Sequence, residues 1–153
     1  MTLVHARSIG KGTLVEFGKM QNIFVFDAYS PLEELYKQQK VNYNMCCLSN
    51  VNELEVRYYQ NDFLFGGNSI YKELNDKVFP PENYIVKKTI TLDTLVESKN
   101  IPYPDLIKLD IQGNELNALK GATNVLKCCS YLILEMQQVE YNENAPMKDA
   151  VIE

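Results

Sequence analysis

The sequence has few of the residues that build metal centres and histidine-based catalytic sites. Its 153 residues include one histidine, His5, no tryptophan and four cysteines. The cysteines form two adjacent pairs, Cys46-Cys47 and Cys128-Cys129, without the spacing of a zinc site. Because neighbouring residues on a strand point to opposite faces, neither pair is arranged as a two-ligand clip. We therefore predict reduced thiols, no metal ion and no histidine-based triad.

Long apolar runs and basic stretches are also missing. No run reaches the ~18–20 apolar residues that a membrane-spanning helix needs. The first residues lack the apolar core of a signal peptide. The net charge of -5, without a basic stretch, disfavours binding to a phosphate backbone. These absences predict a soluble, cytoplasmic protein whose partners are neither nucleic acid nor membrane, and they leave its oligomeric state unknown.

The composition that remains is typical of one folded domain. Hydrophobic residues make up 46% of the chain and charged residues 23%, and there are ten tyrosines and six phenylalanines. Such a composition argues against disorder. A chain of this length is sufficient for one compact domain with its own core and too short for two ordinary ones. We predict a single domain over residues 1–153.

Short apolar, β-branched runs alternate with helical stretches along the chain, which predicts an α/β fold with a mostly parallel, doubly wound sheet. Within it, 23–26, 105–109 and 131–134 have the continuous apolar character of buried strands, and 85–91 that of an edge strand. A serine, a proline and a glutamate at 30, 31 and 33 indicate a capped helix start. The predicted strands are 23–26, 44–48, 54–59, 85–91, 105–109 and 131–134, and the predicted helices are 30–40, 92–99 and 115–126.

The three predicted buried strands are each followed by, or end on, an acid: Asp27, Asp110 and Glu135. In open parallel sheets, ligands bind beyond the carboxyl ends of the strands. Asp27 lies beyond a glycine-bearing turn, Gly10-Lys11-Gly12, and a carboxylate in that place can accept hydrogen bonds from both ribose hydroxyls of a nucleoside. Asp110 lies at the mouth of the central strand, where a substrate would bind. The alternative for each acid is a structural role, capping a helix or facing solvent.

The segment after Asp110 combines structural and functional residues. Gly113 allows the chain to turn sharply into the next helix, and Glu115 falls in the first helical turn, where the helix dipole favours a negative charge. We therefore interpret Glu115 as structural at least as much as functional. Lys108, on the strand itself, either pairs with a nearby acid or reaches the edge of the sheet.

Several motifs together resemble a known family. Residues 107–122, Ile-Lys-Leu-Asp-Ile-Gln-Gly-Asn-Glu-Leu-Asn-Ala-Leu-Lys-Gly-Ala, are similar to the signature of FkbM-type methyltransferases. In that signature a Lys-x-Asp-x-Glu-Gly-x-Glu stretch leads into a Leu-Lys-Gly-Ala helix. Segments 26–31, 66–69, 89–95, 132–137 and 141–146 resemble further motifs of the same family in the same order.

The resemblance implies a Rossmann-like class I methyltransferase fold and S-adenosyl-L-methionine as the cofactor. It implies O-methyl transfer to a sugar or another small-molecule hydroxyl, without a metal. Carried onto this sequence, it implies cofactor-binding roles for Gly10, Asp27 and Ser49 and a catalytic role for Asp110. Asp110 would lie beside the methyl donor or the acceptor hydroxyl, whose proton it can accept.

Two departures from the family pattern keep other interpretations open. Val4-His-Ala-Arg-Ser-Ile-Gly10 stands where the family has Asp-x-Gly-x-x-x-Gly, and Gln112 stands in place of the signature glutamate. The chain also has almost no lead-in strand and stops before the last expected strands, which predicts a sheet incomplete at both ends. The main alternative is a non-catalytic, Rossmann-like binding or interaction remnant that has lost its cofactor. A nucleotide-dependent oxidoreductase is less favoured, because it needs a glycine-rich phosphate turn directly after a first strand.

Overall fold

The computed structural model describes residues 2–6 and 22–153, and its centre is a five-stranded sheet in which all strands are parallel. The strands of the described residues are β1 (Thr2–Ala6), β2 (Asn22–Asp27), β3 (Asn42–Met45), β4 (Cys47–Leu48), β5 (Glu55–Tyr59), β6 (Tyr84–Ile90), β7 (Leu106–Leu109) and β8 (Tyr131–Leu134). The order across the parallel sheet is β3-β2-β1-β7-β8, and a smaller sheet has the order β4-β6-β5.

The direction of winding reverses beside β1. From β1 the chain proceeds outward through β2 to β3, and it later returns to place β7 on the other side of β1. Such a reversal opens a crevice outside the carboxyl ends of the central strands, where ligands of doubly wound sheets bind. The parallel, doubly wound sheet confirms the predicted Rossmann-like class I methyltransferase fold.

The smaller sheet corrects two strand predictions. The predicted edge position of the strand at 85–91 is wrong. This strand, β6, is the middle strand of the smaller sheet, parallel to β4 and antiparallel to β5. The predicted strand 44–48 is divided into β3 and β4 at Cys46, whose N–H donates to the carbonyl of Asp27 (2.8 Å). The chain therefore changes sheets beside Asp27, which hydropathy along the sequence does not reveal.

Two of the predicted helices begin or continue differently from the prediction. The one predicted at 30–40 starts as a 3-10 turn (Ser30–Leu32), and Ser30 makes no side-chain cap there. The one predicted at 115–126 is divided at Gly121, where an added Cβ would lie 2.1 Å from the carbonyl oxygen of Ser49. The helices of the described residues are α1 (Glu33–Gln39), α2 (Leu92–Ser98), α3 (Glu115–Lys120), α4 (Thr123–Cys128) and α5 (Lys148–Ile152).

The two faces of the parallel sheet are covered by different helices. Phe26 of β2 packs in the cluster formed with α2, α3 and α4, whereas its neighbour Val25 packs against Tyr36 of α1. This alternation follows from the two-residue period of a strand. The prediction of a third buried strand at 131–134 is wrong: β8 is the last strand of the sheet as described, and Tyr131 is 64% exposed.

Candidate functional site

A cavity lies at the carboxyl ends of the central strands, at the point where the winding reverses. Its empty space, which includes a part open to solvent, is about 490 Å³. Both Asp27, at the end of β2, and Asp110, just after β7, line it. The lining also includes Ala6, Cys47, Leu48, Tyr58, Phe65, Asn68, Ser69, Gln112 and Asn114.

Asp27 is a buried carboxylate held by its own neighbourhood. Its side chain accepts hydrogen bonds from the N–H of Tyr29 (2.7 Å) and from the hydroxyl of Tyr36. Burial raises the pKa of Asp27 to about 6, and the bonds from Tyr36 and Tyr29 and the charge of Lys87 partly oppose that shift. A carboxylate whose proton is lost near pH 6 is an acceptor for hydroxyl groups at neutral pH.

Asp110 is fixed by two side-chain donors from its own segment. The Nζ of Lys108 lies 3.1 Å from one carboxylate oxygen, and the Nε2 of Gln112 donates to the other over 3.0 Å. Asp110 is only 2% exposed. Lys108 therefore pairs with an acid, the first of the two alternatives for it. Because both carboxylate oxygens are engaged, the side chain has a defined orientation at the cavity wall.

The turn after Asp110 depends on residues with left-handed backbone conformation. Gln112 has a φ of 52° and Gly113 a φ of 96°. The carboxylate of Glu115 accepts from the N–H of Ile111 (2.7 Å) and of Gly113 (3.0 Å), and Glu115 lies outside the cavity lining. Glu115 thus stabilises the turn that presents Asp110 and Gln112, in agreement with its structural interpretation.

The fold and the turn after Asp110 agree with membership of a known protein family. Residues 3–153 match the methyltransferase FkbM domain. The chain belongs to the FkbM methyltransferase family. Over 55 residues it is 44% identical to the hexuronic acid methyltransferase AglP of Haloferax volcanii, a stretch that covers 36% of this chain and 23% of AglP. The match thus spans less than a quarter of that relative's length, and no solved structure matches the chain.

The structure describes only part of the segment that was predicted to contain the cofactor-binding residue Gly10. Gly10 and the turn Gly10-Lys11-Gly12 lie outside the described residues. Of the predicted turn at 4–10, Val4 and Ala6 belong to β1; Val4 is buried in the core and Ala6 lines the cavity. That part of the segment is therefore strand rather than turn.

Two predicted polar positions do not reach the cavity. Ser49 is buried, its hydroxyl donates to the side chain of Asn50 (3.2 Å), and it is not part of the lining. Glu135 is exposed and also lies outside the lining. Of the three acids that follow strands, the structure brings Asp27 and Asp110 together at one cavity and leaves Glu135 apart.

The cavity wall of the FkbM domain also includes Cys47, which the sequence did not predict, and Asn68 and Ser69 of the loop-rich segment 60–84, where the sequence predicts the acceptor. Burial raises the pKa of the Cys47 thiol to about 11, so this side chain is a neutral, apolar part of the wall. Asn68 and Ser69 come from the loop-rich segment between β5 and β6. The resemblance of segment 66–69 to a motif of the family was the feature of the sequence that could indicate these two residues. Their place at the cavity depends on a contact between distant segments: the hydroxyl of Ser69 donates to the carbonyl of Gln112 (2.7 Å).

Across 2–6 and 22–153, no group of three or more histidine, cysteine, aspartate or glutamate side chains is arranged to hold a metal ion. No helix among the same residues is both long enough and apolar enough to cross a membrane.

Proposed function

We propose that this FkbM domain transfers a methyl group from S-adenosyl-L-methionine to a hydroxyl group of a sugar or another small molecule. The observation that carries the proposal is the pair of buried carboxylates, Asp27 and Asp110, in one cavity at the winding reversal of the sheet. A sugar acceptor is supported by AglP, which is named as a methyltransferase of hexuronic acid.

The cavity fits a nucleoside-containing methyl donor. Among the described residues, Asp27 accepts from Tyr29 on one carboxylate oxygen and from Tyr36 on the other, with a further contribution from the backbone of Ala28. An ionised carboxylate has about four lone-pair sites, so capacity for a ribose hydroxyl remains. The wall around it includes the apolar side chains of Leu48 and Phe65 and the buried thiol of Cys47. We place Gly10 at the same donor by its position after β1. Ser49 is not retained as a direct contact, because it lies outside the lining.

Asp110 is the residue that we propose to act on the acceptor. When bound, S-adenosylmethionine supplies an activated methyl group on a positively charged sulfur. Asp110 would orient the acceptor hydroxyl by accepting its hydrogen bond. It would receive the hydroxyl proton as the oxygen–carbon bond forms and the carbon–sulfur bond breaks, with S-adenosylhomocysteine as the leaving group. Lys108 and Gln112 hold the carboxylate in place for this step. Much of the acceleration of such a displacement comes from positioning.

Calorimetric titration with S-adenosylmethionine and S-adenosylhomocysteine tests the proposal. The wild-type chain should bind both, Asp27→Ala should lose most of the affinity, and Asp110→Ala should bind normally but lose turnover by about 100-fold or more. Asp76→Ala removes an exposed carboxylate that pairs with Lys72 outside the cavity, and it should change neither quantity.

Two outcomes of that titration would contradict the proposal. Absence of binding at millimolar ligand would leave the non-catalytic remnant as the better description. Normal binding and turnover in both Asp27→Ala and Asp110→Ala would show that the reaction takes place elsewhere.

A further inference from the structure

The cavity wall contains a buried side-chain amide whose nitrogen has no partner in hydrogen-bond geometry within 2–6 and 22–153. Asn68 is 6% exposed and lines the cavity. Its Oδ1 accepts from the N–H of Asn61 (2.7 Å). Because a backbone N–H needs an oxygen acceptor, this bond identifies the atom that faces Asn61 as Oδ1 rather than Nδ2. The Nδ2 therefore points the other way; the hydroxyl of Tyr58 is near it, and no described residue accepts from it with hydrogen-bond geometry.

Neighbouring polar side chains in the wall already have protein partners. The Nδ2 of Asn114 donates to the carbonyl of Leu48 (2.7 Å), and the Nε2 of Gln112 donates to Asp110. The hydroxyl of Ser69 donates to the carbonyl of Gln112. Native proteins rarely leave a buried donor unpaired, and such a donor in a binding cavity is a group for a ligand atom to satisfy. The amide of Asn68 is thus available to a ligand that fills the cavity.

Asn68, Asp27, Tyr58 and Cys47 all line this cavity. Burial raises the pKa of the Tyr58 hydroxyl; the charge of Asp27 adds to that effect, and the side-chain amide of Asn68, which is near this hydroxyl, opposes it. The carboxylate of Asp27 disfavours an anionic group beside it, so the atom that accepts from Asn68 is a neutral nitrogen or oxygen with a lone pair.

We propose that Asn68 recognises the adenine base of the methyl donor by donating a hydrogen bond from Nδ2 to one of its ring nitrogens. The inference rests on the proposed function and adds a specificity-determining residue to it. With Asp27 accepting from the ribose hydroxyls, the attached base lies in the adjoining space, whose wall includes Leu48, Phe65 and Cys47. Those side chains suit a flat, neutral ring, and the ring nitrogens of adenine are hydrogen-bond acceptors.

Ligands that lack one ring nitrogen at a time provide the test. S-adenosylhomocysteine and its 1-deaza, 3-deaza and 7-deaza analogues are titrated calorimetrically into the wild-type chain and into Asn68→Ala. In the wild type, one analogue should bind about tenfold more weakly than S-adenosylhomocysteine, because it leaves the Asn68 donor buried without an acceptor. In Asn68→Ala, that analogue and S-adenosylhomocysteine should bind with the same affinity.

Asn83→Ala is the matched control for this series. The Nδ2 of Asn83 donates to the carbonyl of Gln60 (2.6 Å) outside the cavity, so this variant also loses an asparagine donor. It should preserve the wild-type ranking of the four ligands. The wild-type series gives a result by itself if Asn68→Ala does not fold.

The outcomes separate this proposal from the proposed function. If the wild type binds S-adenosylhomocysteine and all three analogues equally well, the methyl donor site stands and the role of Asn68 is overturned. An equal loss for all four ligands in Asn68→Ala would also overturn it, since Asn68 would then act only through the loop. If the wild type binds neither S-adenosylmethionine nor S-adenosylhomocysteine, both proposals fail.

Discussion

Asp27 combines a buried position with hydrogen bonds that only partly compensate for the burial of its charge. Its pKa rises from 3.8 to about 6, mainly because burial penalises the charged form. The protonated form therefore stabilises the fold, and this contribution is complete below pH 3.8 and lost as the pH rises through about 6. At neutral pH the charged carboxylate of Asp27 is less favourable for stability than the protonated form. The same charge is suited to accepting hydrogen bonds from hydroxyl groups.

The wild type and the Asp27→Asn variant should therefore differ in how their unfolding free energy depends on pH. Between pH 4 and pH 7 the wild type should lose about 2 kcal/mol of unfolding free energy relative to the variant, since asparagine does not titrate. Urea unfolding at a series of pH values measures the difference. A constant difference across that range would contradict the titration of Asp27 in this window.

The orientation of Asp110 is a second property of single residues. Gln112→Asn should keep an amide and tolerate the left-handed φ of 52°, but its side chain is too short to donate to Asp110 in the same way. We expect kcat to fall by about tenfold, because the carboxylate that we propose as the general base loses one of the described donors that orient it. Affinity for S-adenosylhomocysteine should stay unchanged, which calorimetry checks. A lower affinity with unchanged kcat would place Gln112 at the donor instead.

At the scale of elements, the division of the predicted helix 115–126 has a long-range cause. The sequence from 115 to 126 has a helical pattern, yet α3 ends at Lys120 and α4 begins at Thr123. The carbonyl of Ser49, which follows β4, approaches Gly121 too closely for a side chain. The C-terminal end of α3 is thereby packed against the segment that leaves the sheet beside the cavity.

Gly121→Ala tests this contact. The added methyl group would lie 2.1 Å from the Ser49 oxygen, so the backbone must shift, and we expect a loss of about 2 kcal/mol in unfolding free energy. Gly66→Ala is the matched control, because nothing lies within 4 Å of an added Cβ there, and its effect should remain within about 0.5 kcal/mol. Chemical unfolding of both variants compares them. Equal stabilities would show that the close approach is absent in solution.

At the scale of the whole molecule, the site joins the two sheets. The parallel sheet contributes Asp27 and Asp110 at its strand ends, and the smaller sheet and its loop contribute Tyr58 and Asn68. Ser69 connects the two parts through its bond to Gln112. A ligand in the cavity contacts both parts at once and should stabilise their association.

Ligand binding should therefore raise the thermal stability of the whole chain. At a free S-adenosylhomocysteine concentration 100 times the Kd, the unfolding free energy should increase by about 2.7 kcal/mol. Calorimetric melting with and without the ligand measures the shift in Tm. Asp27→Ala should show a much smaller shift at the same ligand concentration. An equal shift in that variant would mean that the ligand is held without Asp27.

Much of the fold was predictable because it depends on local patterns. The apolar run at 23–26 and the acid after it predicted β2 and the position of Asp27 at its end. The motif at 107–122 indicated the FkbM family, which the match over residues 3–153 confirms. The predicted burial of 131–134 failed, since an apolar run has the same appearance in a central strand and in the exposed strand β8.

The sequence by itself determined the family, the parallel α/β architecture and the placement of acids after strands, because hydrophobic period and motif spacing are properties of neighbouring residues. Only the tertiary structure decided that Asp27 and Asp110 share a cavity while Glu135 does not. It also decided that Ser49 packs against Gly121 and that Asn68 lines the cavity with a nitrogen that lacks an acceptor in hydrogen-bond geometry among the described residues. These features depend on contacts between residues far apart in the chain, and such contacts are fixed only when the sheets pack together.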